Sequence, residues 1–137
     1  MGFRKPKLME YEETTEKIIG CPYTVYSTLG FGFLESVYEK SLMIELKKAG
    51  LKAEAQKRIP VRYGNELVGD FVADIVVEDK VIVEPKAVEQ LVKIHEVQLV
   101  NYLVGTGISV GLLVNFGPTK VEVKRKVRQL RQKRTTD

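Results

Sequence analysis

The spacing of apolar and polar residues predicts helices in the first third of the chain. Apolar residues recur at helical intervals from about residue 9 to 29 and again from about 33 to 49, where Gly50 would end the second helix. The dipeptide Cys21-Pro22 lies inside the first segment, and proline has no N–H to donate to the helical ladder. We therefore predict a kink or an interruption there, with two shorter helices as one outcome.

The rest of the chain has the pattern of strands with one further helix. Five segments have the alternating, β-branched sequence of strands, namely residues 53–61, 67–77, 81–86, 110–114 and 120–123. Turns are predicted at Gly64-Asn65 and at residues 115–118. Residues 91–104 are apolar around most of a helical circumference, which predicts a largely buried helix that ends near Gly105 and Gly107. This order of elements predicts an α/β domain with a mixed sheet.

Length and cysteine content restrict the class of protein. A chain of 137 residues is sufficient for one domain with a single core, and the one cysteine, Cys21, excludes an internal disulfide and a cysteine-based metal site within the chain. The first residues lack the apolar run of a signal peptide, and no segment has the roughly 20 apolar residues of a membrane span. We expect a cytoplasmic protein that does not enter the membrane, with Cys21 as a small buried residue.

Positive charge is concentrated near the C-terminus. The net charge is +4, yet residues 124–134 contain seven basic and no acidic residues, so the rest of the chain is slightly acidic. We therefore divide the chain into a domain over residues 1–123 and a basic tail over residues 124–137. Such a segment is typical of contact with a polyanion, and a solvated tail without a partner is the alternative.

Two acidic residues and a lysine lie in the most apolar part of the chain. A three-residue loop centred on Asp79 would place Asp74 opposite Glu84 on the next strand, and alternation would place Lys86 on the same side as Glu84. Opposed Cβ atoms lie roughly 5 Å apart, and like charges at that distance repel unless a cation lies between them. Oxygen ligands without a histidine or cysteine cluster favour Mg²⁺ or Mn²⁺.

A salt-bridged surface hairpin is the structural alternative for these three residues. The flanking residues 71–77 and 81–83 are so apolar, however, that both faces of the sheet are expected to be covered. Unused charge would be costly there, so a metal site is favoured. Mg²⁺ leaves most of its positions to water and phosphate oxygens, which makes a phosphate ester the expected substrate and phosphodiester hydrolysis, assisted by Lys86, the expected chemistry.

The same residues resemble those of a known superfamily. Asp74 followed by Glu84-Pro85-Lys86 is similar to the D…ExK core of the PD-(D/E)XK nuclease superfamily, and residues 32–38 resemble the GxxExxY signature of one of its groups. The resemblance covers about residues 29–116. It implies a restriction-endonuclease-like fold, which is a three-layer α/β domain with a central mixed β-sheet flanked by helices.

The resemblance also implies roles for individual residues. It makes Asp74, Glu84 and Lys86 the catalytic triplet, and it adds Glu35 to the two carboxylates as a metal ligand. It also makes Gln98 a further catalytic residue, which would orient either Lys86 or the attacking water. The residues expected to support the site from further out are Tyr38, His95 and Tyr102. Hydrogen-bonded structural roles are the alternative for Tyr38 and His95.

These expectations together describe a metal-dependent nuclease that uses Mg²⁺ or Mn²⁺ and acts on nucleic acid, with DNA favoured over RNA. The tail residues expected to contact the phosphate backbone are Lys124, Arg125, Lys126, Arg128 and Arg131. A homodimer is expected, because cutting both strands of a duplex usually requires two sites.

Pro85 is the main departure from the pattern of the superfamily, because this position is normally an ordinary apolar residue. Proline cannot donate to a sheet ladder, so we predict an edge, a bulge or a local distortion around it. The first alternative function is therefore a catalytically decayed protein of the same fold that binds nucleic acid or a protein partner. The second is a component whose activity requires another protein.

Overall fold

The computed structural model describes residues 7–128, and within that range the chain forms three helices and five strands. The elements in chain order are α1 (Lys7–Leu29), α2 (Glu35–Lys48), β1 (Ala53–Tyr63), β2 (Glu66–Val77), β3 (Val81–Lys86), α3 (Lys93–Thr106), β4 (Val110–Phe116) and β5 (Val121–Val127). The strands form one sheet in the order β1-β2-β3-β4-β5. The β3–β4 pair is parallel and the other pairs are antiparallel, so the sheet is mixed, as predicted.

Helices cover both faces of this sheet. One hydrophobic cluster joins α1 and α2 to the strands, and its fully buried members include Ile18, Tyr38 and Leu42. A second cluster joins α3 to the strands through Leu99 and Leu103. Because β3 and β4 are parallel, the chain between them must cross over the sheet, and α3 is that crossover. The predicted class, a three-layer α/β domain with a central mixed sheet, is confirmed.

Of the kink or interruption predicted for the first helix, the interruption is wrong, because α1 continues through Pro22, and the kink stays a prediction. A proline in a helix interior costs about 3 kcal/mol. Ile18, Cys21 and Val25 are buried on either side of it, and each buried aliphatic side chain of the larger kind contributes about 1.5–3 kcal/mol. Packing before and after the proline therefore offsets the lost helical hydrogen bond. The predicted burial of the unpaired Cys21 is confirmed.

The prediction that the third helix is largely buried is also wrong. α3 buries Leu99 and Leu103, whereas Ile94, Val97 and Val104 are between 41% and 54% exposed. The helix lies on the sheet with a single face, and no other described element covers its outer side. Its C-terminal end is as predicted, because Gly107 caps it in the left-handed conformation, with φ of 77°.

The last strand extends further than the sequence indicated. β5 continues to Val127, which pairs with Val110 of β4, so the basic segment begins within the sheet. The remainder of that segment, including Arg131, lies outside the described residues. Within residues 7–128 no helix combines the length and the apolar character that crossing a membrane requires.

Candidate active site

The hairpin between β2 and β3 brings the two central carboxylates to one place. The Lys80 N–H donates to the Val77 carbonyl across the turn, at 3.0 Å, and the strands pair from Val77–Val81 to Ile75–Val83. This register confirms the three-residue loop centred on Asp79. The next position along it sets Asp74 opposite Glu84, but the ladder has already ended there, so the two strands separate at the candidate site.

Pro85 lies at this point of separation. β3 loses its β2 neighbour after Val83 but keeps β4 alongside it as far as the Lys86–Asn115 pair. Pro85 therefore has a strand neighbour on one side only, so of the edge, bulge or distortion predicted there the structure has a local edge. A proline at such an edge removes fewer ladder hydrogen bonds than one between two paired strands would.

Glu84 is the most deeply buried acidic residue described in residues 7–128, with 8% of its surface exposed. Burial, together with the nearby negative charges of Asp74 and Glu35, raises the pKa of its carboxyl to about 7, although the Lys86 ammonium opposes this shift. The side chain can therefore hold a proton near neutral pH. A cation placed beside it would favour the ionised form.

Glu35 joins the same electrostatic group from the first turn of α2. Much of its side chain is open to solvent, yet partial burial raises the pKa of its carboxyl, and the charge of Asp74 acts in the same direction. Lys86 and His95 lower that pKa. The structure thus brings the four residues predicted at the centre of the site, Glu35, Asp74, Glu84 and Lys86, within electrostatic range of one another.

The more distant predicted residues have mixed positions. The Nδ1 atom of His95 accepts a hydrogen bond from the Val92 N–H at 3.2 Å, which caps α3, and the imidazole also acts on Glu35. Gln98 is exposed on α3 and, within residues 7–128, makes no hydrogen bond to Lys86. Orientation of the lysine by Gln98 therefore has no contact to support it here.

The two tyrosines have structural contacts. The ring of Tyr38 is fully buried and stacks on Phe116 at 4.2 Å, and its hydroxyl donates to the Gly30 carbonyl. The ring of Tyr102 stacks on Phe71 of β2 at 3.9 Å. Both rings hold helices against the sheet that bears the carboxylates, and in the described part of the chain neither hydroxyl forms a hydrogen bond with any of the four central residues.

The acidic side chains are suited to a hard divalent cation, although they do not form a complete cage. Among residues 7–128 no group of three or more His, Cys, Asp or Glu side chains converges closely enough to hold a metal ion alone. Mg²⁺ usually takes only one or two protein carboxylates and fills its other positions with water and substrate oxygens. The adjoining carboxylates of Asp74 and Glu84 meet that smaller requirement.

Sequence reasoning missed Gln56 and Glu39. The Nε2 atom of Gln56 donates to Glu39 Oε1 at 2.7 Å and to Asp74 Oδ1 at 3.3 Å, so it links α2 to the central carboxylate. Burial raises the pKa of Glu39, as do the charges of Asp74 and Glu35, and the hydrogen bond from Gln56 opposes this. No motif marks Gln56. Only a prediction of how β1 pairs with β2 would have placed it opposite Asp74.

Asn115 was assigned to a turn but is a fully buried residue of β4. Its side-chain amide accepts from the Val88 N–H and donates to the Val88 carbonyl, both at 2.9 Å, and its backbone lies beside Lys86. It therefore fixes the chain that leaves β3 directly after the lysine. A polar residue at the end of the apolar strand VGLLVNF was the available signal.

The basic residues of β5 differ in their availability. Lys126 pairs with Glu96 of α3, and Arg128 donates to the Gly107 carbonyl at 3.2 Å. Lys124 and Arg125 are exposed. Beside Lys126 an open groove of about 520 Å³ separates α3 from β5, and its lining residues are Lys93, Glu96, Val97, Val100, Asn101 and Lys126.

Comparisons with known proteins agree with this geometry. The crystal structure of SSO0001 superimposes with a TM-score of 0.55 at 19% sequence identity, covering 89% of this chain and 59% of that protein, which supports the restriction-endonuclease-like fold. No curated protein matches the sequence significantly. The profile of the PD-(D/E)XK nuclease superfamily matches residues 12–126, which include Glu35, Asp74, Glu84 and Lys86. The chain therefore belongs to the PD-(D/E)XK nuclease superfamily.

Proposed function

We propose that this protein is a metal-dependent nuclease that hydrolyses phosphodiester bonds in nucleic acid, with DNA favoured over RNA. The observation that carries the proposal is the Glu84 carboxyl, which is buried next to Asp74 and Lys86 where β2 and β3 separate. A buried carboxyl with a strongly raised pKa and specific charged neighbours is more often found at functional sites than elsewhere. Membership of the nuclease superfamily is the reason for proposing phosphodiester hydrolysis as the reaction.

Each central residue has a distinct role in this proposal. Asp74 and Glu84, together with Glu35, would hold Mg²⁺ or Mn²⁺. The bound ion would polarise a phosphoryl oxygen and lower the pKa of a water molecule. Lys86 lies beside Glu84 and would offset the negative charge that develops on the phosphoryl oxygens in the transition state. Gln98 stays a candidate for positioning the water, and movement of its exposed side chain would be needed to reach the site.

Substrate binding is proposed to use the basic residues of β5 and of the segment after it. The side chains of Lys124 and Arg125 are exposed and make no hydrogen bond or ion pair within residues 7–128, so they can meet phosphates directly. Lys126 and Arg128 would first have to leave Glu96 and the Gly107 carbonyl. Each phosphate contact contributes about −0.9 to the slope of log affinity against log salt for duplex DNA. Charge-reversal of Lys124 should therefore make that slope measurably shallower.

A homodimer in the cytoplasm completes the proposal. Two copies would supply the two sites that cutting both strands requires. The end of the β1–β2 hairpin offers apolar surface to a second copy, since Tyr63, Leu67 and Val68 are 80%, 59% and 62% exposed. The single unpaired cysteine suits a reducing compartment. Light scattering after size-exclusion chromatography would give the mass directly, and a monomer at micromolar concentration would contradict the dimer.

The nuclease proposal is tested by cleavage of labelled single-stranded, double-stranded and branched DNA and of RNA, with Mg²⁺, Mn²⁺ or EDTA. We expect metal-dependent cutting by the wild type that Asp74→Ala abolishes. Pro85→Leu is the informative companion, because it restores an ordinary apolar residue in β3. Cutting that persists in EDTA, or that Asp74→Ala leaves unchanged, would refute the assignment of the site.

The second candidate function is a decayed nuclease that binds nucleic acid or a partner protein. It is favoured by Pro85 in β3 and by the incomplete convergence of acidic side chains in residues 7–128. In that case the wild type should bind neither Mg²⁺ nor Mn²⁺ and should cut none of the substrates. Cleavage gained by Pro85→Leu would identify the proline as the cause of the loss.

A further inference from the structure

Gln56 has an unusual backbone conformation beside the candidate site. It lies inside β1 with φ of 52°, although the residues before and after it pair regularly with Ile75 and Ala73 of β2. The same register sets Gln56 opposite Asp74. A left-handed conformation costs a residue other than glycine about 1–2 kcal/mol, so contacts around Gln56 must maintain it.

At the same place along the sheet, alternate side chains of β2 stop packing on one helix layer and begin to pack on the other. Ala73 packs in the cluster that contains α3, whereas Ile75 packs in the cluster that contains α1 and α2. Residues two apart in a regular strand share one face of the sheet. The exchange therefore falls at Asp74, whose charge acts on Glu35 and Glu39 of α2.

The Gln56 side chain makes use of this local geometry. Its Nε2 atom carries two hydrogens and donates one to Glu39 at 2.7 Å and one to Asp74 at 3.3 Å. Both partners are acceptors, so the nitrogen and not the oxygen of the amide must face them. The bond to Glu39 is the shorter and fixes the amide, which then holds the Oδ1 atom of Asp74 and leaves Oδ2 without this bond.

We propose that Gln56 is a positioning residue, whose amide is held by Glu39 and orients the Asp74 carboxylate for a divalent cation. The inference rests on the proposed function, because it assigns Asp74 to the metal. A neutral amide suits this task better than a lysine or an arginine would. It orients the carboxylate without cancelling the negative charge that attracts the cation.

A purely structural role makes a different prediction. If Gln56 only relieved repulsion between Glu39 and Asp74, its replacement would lower stability and leave metal affinity unchanged. If it positions Asp74, replacement by a residue that tolerates the left-handed conformation should leave stability unchanged or raised and should weaken metal binding. Loss of a group that orients a metal ligand typically weakens metal binding by about 10- to 100-fold.

The test uses Gln56→Asn and Gln56→Gly. Asparagine tolerates positive φ and keeps the amide, but it is one methylene too short to reach both carboxylates, and glycine removes the side chain altogether. Glu78→Gly is the matched control, because Glu78 has φ of 54° in the β2–β3 turn, at the opposite end of the β2–β3 pairing from Asp74. Each protein is titrated with Mn²⁺ by electron paramagnetic resonance and unfolded in urea without metal.

We expect about tenfold weaker Mn²⁺ binding in both Gln56 variants, no loss of stability in Gln56→Asn, and wild-type affinity in the control. Wild-type Mn²⁺ affinity in the Gln56 variants would overturn the inference. Carboxyl ¹³C chemical shifts of Asp74 and Glu39, measured at one fixed pH without metal, test the inference about Gln56 separately from the proposed function. If the wild type binds no Mn²⁺, the nuclease proposal fails. In that case, chemical shifts that differ between Gln56→Asn and the wild type would still establish the contact of Gln56 with the two carboxylates. Unchanged shifts would refute that contact.

Discussion

Replacing Glu84 with glutamine should change how stability depends on pH. Glu84 has a pKa of about 7 in the folded protein, against an ordinary value of 4.5. At about 1.4 kcal/mol per pKa unit, the difference between these two pKa values corresponds to about 3 kcal/mol of folding free energy. Between pH 4.5 and about 7, the folded state keeps a proton on Glu84 that the unfolded state has released. The contribution of Glu84 is therefore most favourable below pH 4.5 and is lost as the pH rises through 7.

Glu84→Gln keeps the size of the side chain and cannot ionise. In metal-free buffer we expect the variant to be about 1–3 kcal/mol more stable than the wild type at pH 8, because burial of the amide offsets part of the gain. At pH 5 the difference should be close to zero. Urea unfolding at half-unit steps from pH 5 to 8 measures both values, and the difference between the two curves removes the contributions of all other titrating groups.

Two further observations sharpen this test. Glu89→Gln is the control, since Glu89 is an exposed glutamate just after β3 and its replacement makes the same chemical change outside the buried site. Saturating Mg²⁺ should stabilise the wild type most above pH 7, where the carboxylate is ionised, and should have little effect on Glu84→Gln. Parallel pH curves for the wild type and Glu84→Gln would refute the reasoning about burial.

Three other substitutions test the site and its scaffold. Lys86→Met should lower cleavage about a hundredfold or more, because the ammonium offsets charge that develops in the transition state. It should also lower the urea unfolding midpoint more at pH 8 than at pH 5, because the ammonium favours the ionised form of Glu84. Gly111→Ala should cost about 1–3 kcal/mol in urea unfolding, because a Cβ there would lie 2.8 Å from a Leu99 methyl group, and the cost should shrink in a Leu99→Ala background. Asn115→Leu should cost about 2 kcal/mol or more, because it leaves the Val88 N–H and carbonyl without partners, and unchanged stability would contradict that reading of the amide.

The sequence was most informative where alternation and turn chemistry acted together. The apolar strands around Asp74 and Glu84 and the short loop at Asp79 were sufficient to predict the register of the central hairpin. The separation of β2 from β3 beyond Ile75 was not predictable from alternation, and it creates the opening at the site. Pro85 gave the one local sign of it, because proline requires an edge or a distortion.

Features that depend on tertiary packing escaped prediction. The continuity of α1 through Pro22 depends on residues that the sheet buries, and the exposure of the outer side of α3 depends on no other described element lying over it. Gln56 has the residue type of an ordinary surface position. Its left-handed backbone and its contact with Asp74 result from pairing between distant strands, which local sequence does not encode.

The most direct test of the proposed metal-dependent site is the rate of cleavage of one substrate as a function of Mg²⁺ concentration, measured side by side for the wild type and Asp74→Asn. The exchange of one oxygen for nitrogen preserves the shape of the side chain. We predict a rate that rises with Mg²⁺ to saturation in the wild type and stays at the background level in the variant. Equal rates in the two proteins, or a wild-type rate independent of Mg²⁺, would contradict the account.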